Sequence, residues 1–244
     1  MTAIERAGPV RLVVVVLPVR DEEQRLGPCL EALKLAISNV SSHGGSWWPM
    51  PRVRVMAVLD VCVDASAEVV SRYAWVEAVT SGAGRVGAAR ALGVRAALAG
   101  ETDELSQIWI ATTDADSRVP TDWMTHQLDL AAQGADMFRG LVEPDPAECG
   151  SATFEAWSSA YRRQDGHAHV HGANLGVRAD AYRLCGGFDE LAVRDEDVAL
   201  SRNARLRSLN VVASAQALVA TSGRLTGRVE GPGFAAHLSR LAGS

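Results

Sequence analysis

Two aspartates separated by a single residue, Asp114 and Asp116, directly follow an apolar run that starts at residue 108 and ends in Thr112 and Thr113. In an extended chain, side chains two residues apart point to the same side, so both carboxylates can face one point beyond the end of a buried strand. Mg²⁺ and Mn²⁺ prefer carboxylate oxygens, and either cation would in turn hold a phosphate group. The pair predicts a metal–phosphate site, with a solvated polar turn as the structural alternative.

The segments that would position this pair alternate between strand-like and helix-like patterns. Residues 11–17 form a continuous apolar run typical of a buried parallel strand, and apolar residues recur at helical spacing over 22–37. Further along we predict strands over 53–59, 76–80 and 107–112, and helices over 65–75, 86–98 and 121–133, the last with Thr121 as N-cap. This order predicts an α/β fold with a parallel sheet, helices on both faces, and ligands beyond the carboxyl ends of the strands.

The pattern changes after residue 135. We predict strands over 137–142, 173–177, 211–213 and 217–221, helices over 151–164, 179–184 and 195–208, and a mobile, glycine-containing tail from 222. Nothing in the composition marks a linker between independent domains. We therefore predict one domain over 1–244, with a nucleotide-binding half at 10–135, a substrate-binding half at 136–221 and the tail at 222–244.

Composition excludes some functions and indicates a compartment. Lys and Arg together number 24 against 29 Asp and Glu, a net charge of −5 that argues against a general nucleic-acid binder. The apolar run at 12–17 is too short to span a bilayer and lacks the layout of a signal peptide. The four scattered cysteines predict free thiols in a reducing cytoplasm.

Polar segments also follow the other early strands, at 18–23, 60–66 and 82–90. Each has a structural alternative: Glu22 could complement a helix dipole, Asp60 could stabilise a turn, and the glycines at 82–87 lack the spacing of a dinucleotide site. Because all these segments fall at successive strand ends of one sheet, we interpret them together as a ligand site.

The ordered segments resemble those of family 2 glycosyltransferases of the GT-A fold, over residues 12–208. The matching segments are 18–23, 59–66, 87–90, 113–116, 172–176, 186–190 and 195–197, with Asp21 where the family usually has Asn. The resemblance implies a single GT-A-type domain with a Rossmann-like, mostly parallel central sheet flanked by helices. It also implies that 136–221 is the acceptor-binding and catalytic half.

The implied activity is transfer of a sugar from a nucleoside-diphosphate sugar, such as a UDP-sugar, to an acceptor hydroxyl with inversion. By the resemblance, Asp116 with Asp114 would hold Mg²⁺ or Mn²⁺, Asp197 would be the catalytic base, and Glu196 would orient an acceptor hydroxyl or support the base. The implied donor-binding residues are Pro18, Arg20, Glu22, Asp60, Arg85, Arg90 and Asp114, and the implied acceptor-binding residues are His171 and Asn174. A charge in the first turn of a helix is the structural alternative for Asp197.

Several remaining side chains have more than one interpretation. The alternating His167, His169 and His171 suggest zinc, but no ligand cluster follows them, so we favour a loop near the acceptor. Arg224 and Arg228 are predicted to close over the diphosphate, with solvation as the alternative. His237 is not expected to bind metal. The tryptophans at 47, 48, 123 and 157 would stack on sugars or, more commonly, pack in the core.

Two other functions remain open. A sugar-phosphate nucleotidyltransferase would need a glycine-rich basic segment after the first strand, and residues 18–23 contain no glycine. A non-catalytic nucleotide-sugar binding subunit would not need both Asp116 and Asp197. The expected partners are the donor and either a small or a lipid-linked acceptor, met in the cytoplasm or at the inner face of the membrane, without nucleic acid or a transmembrane segment. A homodimer is one assembly left open.

Overall fold

A computed structural model of the chain describes residues 8–42, 47, 49–227 and 233–243. Its centre is a seven-stranded sheet in which four strands from the first half are parallel: β1 (Leu12–Val19), β2 (Arg52–Asp60), β3 (Val76–Ser81) and β4 (Ile108–Thr112). The sheet continues with β7 (Leu175–Arg178), β5 (Met137–Arg139) and β8 (Val211–Ala213), in the order β3-β2-β1-β4-β7-β5-β8. Only β7 runs antiparallel to its neighbours, so the predicted mostly parallel sheet is confirmed.

Helices cover both faces of this sheet. They include α1 (Leu26–Ser42), α2 (Ser66–Ser71), α3 (Val86–Leu98) and α4 (Trp123–Ala132). Because side chains alternate along a strand, Val13 and Val15 of β1 pack in one core with α1 and α4, whereas Val14 and Val16 pack in a second core with α3. This double burial explains why β1 is apolar along its whole length.

The second half adds shorter elements around the sheet edge. β6 (Val142–Pro144) pairs in parallel with β9 (Val219–Thr221) in a separate two-stranded sheet. The helices are α5 (Pro146–Cys149), α6 (Ser151–Ala160), α7 (Ala179–Leu184), α8 (Glu196–Leu206) and α9 (Phe234–Ala242). Among the described residues, no helix combines the length and the apolar character needed to cross a bilayer. All four cysteines are free thiols.

Several local predictions differ from the structure. The helices predicted over 65–75 and 151–164 end earlier, at Ser71 and Ala160. The single strand predicted over 137–142 divides into β5 and β6, because β5 pairs within the central sheet and β6 pairs with β9 in the second sheet. The Asn174 side chain packs against Gly140 between them and donates to the Leu141 carbonyl. The helix predicted from Thr121 begins at Trp123, after Asp122, and neither residue forms a side-chain cap to it. The tail contains α9, which the sequence pattern did not predict.

Candidate active site

A cavity of about 900 Å³ lies beyond the carboxyl ends of β1, β2 and β4. Every site residue predicted from the sequence lines it except Asn174. The sheet brings the segments after these strands to one edge, and the start of α8 and the segment after β9 close the other side. Residues far apart in sequence therefore share one chamber, while their individual roles stay predictions.

Asp60 anchors the turn that precedes α3. It is 4% exposed at the end of β2, and its Oδ1 accepts a hydrogen bond of 3.0 Å from the amide of Gly84. Gly84 has a positive φ of 62°, which glycine adopts without steric cost, and its carbonyl accepts from Arg20 Nη1 at 3.3 Å. The ends of β1 and β2 are thus tied to the same turn, which fixes the wall of the cavity.

Arg90 joins two sides of the cavity from within α3. Its guanidinium is 3% exposed and donates to both Glu196 and Asp114. Gly172 packs directly on this guanidinium, leaving no room for a Cβ, and the Phe188 ring lies 6.0 Å away. Arg90 therefore links the Asp114 segment to α8, an ion-pair role that sequence reasoning missed because it expected only a ribose or phosphate contact.

Asp197 lies in the first turn of α8 and faces the cavity. Its Oδ2 accepts from the Gly172 amide at 2.6 Å, and its Oδ1 accepts from the Val198 amide at 2.8 Å. The Gly172 carbonyl accepts from Thr112 Oγ1 at 2.6 Å, which connects Asp197 to the end of β4. Burial raises the pKa of Asp197 against the opposing effect of Arg90. Asp197 is therefore held by specific hydrogen bonds to other elements, which a carboxylate that only complements the helix dipole would not need.

The two aspartates after β4 differ in environment. The side chain of Asp114 is 35% exposed, whereas that of Asp116 is only 12% exposed. Burial, assisted by the neighbouring charge of Asp114, raises the pKa of Asp116 to about 6. The alternative of a solvated turn is wrong for Asp116, because a solvated carboxylate would not be shielded in this way.

The chemistry of this carboxylate pair fits a divalent cation. Burial first, and then the like charge of Asp114, raise the pKa of Asp116, and a cation at this pair would relieve both effects. One oxygen of each aspartate is already bound by an arginine. Among the described residues, the group with three candidate ligand atoms within 4.8 Å is instead Asp21, Cys62 and Asp64. A cation at Asp116 would therefore need further ligands from phosphate or water.

His171 lines the cavity beside Tyr161. Its Nε2 lies 2.9 Å from the Tyr161 hydroxyl, and burial lowers the pKa of His171 to about 4, so the ring is neutral at physiological pH. His169 stacks on His171 with ring centroids 5.9 Å apart. The histidines form an aromatic stack. Among the described residues, none of these histidines belongs to a group of three candidate metal ligands. Tyr161 has no sequence signal that would have identified it.

The position of Asn174 contradicts its predicted role in binding the acceptor. It is fully buried, its Oδ1 accepts from Trp123 Nε1 at 2.9 Å, and its Nδ2 donates to the Leu141 and Ala217 carbonyls. A fully buried amide that lies outside the cavity and bonds within the core is not accessible to an acceptor. Asn174 thus holds the two sheets together.

The remaining aromatic and tail predictions have mixed outcomes. The tryptophans at 47, 123 and 157 are each at most 1% exposed, so packing is their role. Trp48 and Arg228 lie outside the described residues. Arg224 reaches the cavity, and the segment before it is held by Glu148, a residue that the sequence analysis did not select.

Comparison with known proteins agrees with this geometry. Residues 14–169 match the sequence profile described as Glycosyl transferase family 2, so the chain belongs to this family of glycosyltransferases. No curated protein matches the chain in sequence.

Solved structures show the same fold. TarS from S. aureus in complex with UDP superposes with a TM-score of 0.59 and 13% identity, over 96% of this chain and 70% of that one. The mannosyltransferase PcManGT from Pyrobaculum calidifontis, solved with GDP-Man and Mn²⁺, superposes with a TM-score of 0.55 and 18% identity, over 91% of this chain and 60% of that one. Glucosyl-3-phosphoglycerate synthase from Mycobacterium tuberculosis, solved with Mn²⁺, UDP and phosphoglyceric acid, superposes with a TM-score of 0.53 and 11% identity, over 95% of this chain and 75% of that one. The GT-A fold is therefore confirmed.

Proposed function

We propose that the chain is a metal-dependent enzyme that transfers a sugar from a nucleoside-diphosphate sugar to an acceptor hydroxyl, with inversion at the sugar carbon. A UDP-sugar is the first donor to test, and the four free thiols favour a cytoplasmic setting. The observation that carries the proposal is that Asp114, Asp116 and Asp197 line one cavity, with Arg90 bound to Asp114 and Gly172 bound to Asp197. Metal ligands and base are thereby available to a single bound donor.

The residues of this cavity divide into a donor side and a reaction side. Asp60 would accept a hydrogen bond from the nucleoside, and Pro18, Arg20, Glu22 and Arg85 would surround the donor. Asp114 and Asp116 would hold Mg²⁺ or Mn²⁺, which when bound neutralises charge on the departing diphosphate.

On the reaction side, Asp197 would accept the proton of the attacking hydroxyl. Its two amide hydrogen bonds, from Gly172 and Val198, hold the carboxylate in a fixed orientation. Glu196 is buried against Arg90 and would act as a positioning residue for that base. His171, which is neutral and lies beside Tyr161, is the remaining candidate for contact with the acceptor.

The test is release of nucleoside diphosphate from a panel of nucleotide sugars with Mn²⁺, using Asp197→Asn. Loss of a general base lowers turnover by about 10²- to 10⁴-fold, and calorimetry should show that nucleotide binding is retained. Asp122→Asn is the matched control, since Asp122 is exposed at the start of α4 and forms no side-chain cap. Normal turnover by Asp197→Asn would contradict the base, and no release by wild type with any donor would favour a non-catalytic binding subunit.

A further inference from the structure

The guanidinium of Arg224 lies inside the cavity between two carboxylates. Its Nη2 donates to Asp116 Oδ2 and its Nη1 donates to Glu22 Oε1, both at 2.7 Å. The side chains of Glu22 and Asp116 are only 5% and 12% exposed, and that of Arg224 is 22% exposed. This forked pair is therefore shielded from solvent, unlike a surface ion pair.

The backbone that carries Arg224 is fixed. The amide of Gly223 and the hydroxyl of Ser222 both donate to Glu148 Oε2, at 2.9 and 2.6 Å. A side chain at Gly223 would overlap the backbone of α5, so glycine allows this close approach. Just before it, Thr221 Oγ1 accepts from Ser117 Oγ at 2.8 Å, next to Asp116. Arg224 is thus built into the site from an anchored segment.

The position of Arg224 has an electrostatic consequence for the metal. The guanidinium compensates the charges of Asp116 and Glu22 and occupies one of the two oxygens of Asp116, Oδ2. A divalent ion arriving alone meets a shielded guanidinium that repels it and already neutralises Asp116. A diphosphate arriving with the ion offers that arginine new oxygens, because guanidinium binds phosphate as well as carboxylate.

We propose that Arg224 gates the metal site: it holds Asp116 in the free protein, and it passes to the donor diphosphate when nucleotide and cation bind together. The gate rests on the proposed function, since it takes the donor to be a nucleoside-diphosphate sugar. It makes metal binding conditional on nucleotide, and it assigns Arg224 to the diphosphate in the bound state.

The experiment measures Mn²⁺ binding by the full chain from the loss of the free-ion electron paramagnetic resonance signal, without nucleotide. Wild type should bind weakly, and Arg224→Gln should bind at least about tenfold more tightly, a change of ~1.4 kcal/mol. Arg118→Gln is the matched control, because Arg118 also pairs with a carboxylate, Asp145, but lies outside the cavity and is half exposed. The double variant Arg224→Gln/Asp116→Asn should lose the added affinity. Thermal melting checks that each variant folds.

A second arm adds UDP or GDP. Wild type should then bind Mn²⁺ tightly, whereas Arg224→Gln should bind nucleotide more weakly than wild type in EDTA. Equal Mn²⁺ affinity of wild type and Arg224→Gln without nucleotide would overturn the gate, as would a gain that persists in the double variant. Failure of wild type to bind Mn²⁺ or any nucleotide in the second arm would instead overturn the proposed function, so the two failures are distinguishable.

Discussion

Arg90 illustrates how one buried residue can hold an active-site wall in place. Its guanidinium is almost inaccessible, and its two partners, Asp114 and Glu196, come from opposite sides of the cavity. Arg95, one and a half turns later on the same helix, forms an ion pair with Glu190 in which both side chains are about half exposed. Helix α3 therefore contributes to two kinds of ion pair, a buried one at Arg90 and a solvent-exposed one at Arg95.

Arg90→Gln should destabilise the protein by about 3–5 kcal/mol, since removing one partner of a buried ion pair leaves the other charges uncompensated. Arg95→Gln should cost less than about 1 kcal/mol, because its pair is screened by solvent. Urea unfolding monitored by tryptophan fluorescence measures both. Equal costs for the two variants would show that the Arg90 pairs contribute no more than surface pairs.

The protonation of Asp197 gives a prediction for the pH profile. Burial raises the pKa of Asp197 and the charge of Asp114 adds to this, whereas Arg90 and the amides of Val198 and Gly172 oppose it. A base must be deprotonated, so kcat/KM should fall on acidification through a pKa above that of an ordinary aspartate. An acid limb at the ordinary aspartate position, measured with saturating Mn²⁺, would argue against Asp197 as the base.

At the scale of elements, the short turn at Gly172 joins the sheet to α8. It receives a hydrogen bond from Thr112 at the end of β4, donates one to Asp197, and packs against Arg90. Glycine is required here by close approach, because a Cβ would overlap the guanidinium. The resemblance to the family points to this segment, but no local pattern contains the crowding, since it depends on how α3 and α8 meet.

Gly172→Ala should displace Arg90 and cost about 1–3 kcal/mol, the usual range for overpacking a filled site. It should also lower kcat, because displacement of the turn moves the backbone amide that donates to Asp197. Gly82→Ala is the matched control, since a Cβ at Gly82 meets no atom within 4 Å. Thermal melting and turnover should leave the Gly82 variant near wild type, and a tolerated Gly172→Ala would mean that Arg90 can shift without consequence.

For the whole molecule, the sequence was most informative where one local pattern determines structure. Apolar runs predicted β1 and β4, and the polar ends of those strands predicted where the cavity would be. The prediction for Asn174 was wrong because its side-chain direction depends on the passage of the chain between two sheets. Arg224 contacts Glu22 across 202 residues of sequence, a pairing that no local pattern contains.

The last helix connects the end of the chain to this cavity. Leu238 of α9 is fully buried against Trp157 of α6 and Cys149 of α5, while Phe234 at the start of α9 lines the cavity. α9 is short and follows a glycine-containing segment, and the glycines led to the prediction of a tail without a helix. The predicted division into two halves and a tail remains a prediction.

Leu238→Ala should remove the main contact of α9, at a cost of about 2–5 kcal/mol for a fully buried leucine. Because that contact is local to the α6–α9 cluster, we expect faster amide hydrogen exchange in a peptide covering 234–242 while peptides from β1 and β4 stay protected. Leu206→Ala is the matched control, since Leu206 is 74% exposed at the end of α8. Uniformly faster exchange would show instead that α9 unfolds only with the whole domain, and that the cavity wall it supplies is as stable as the central sheet.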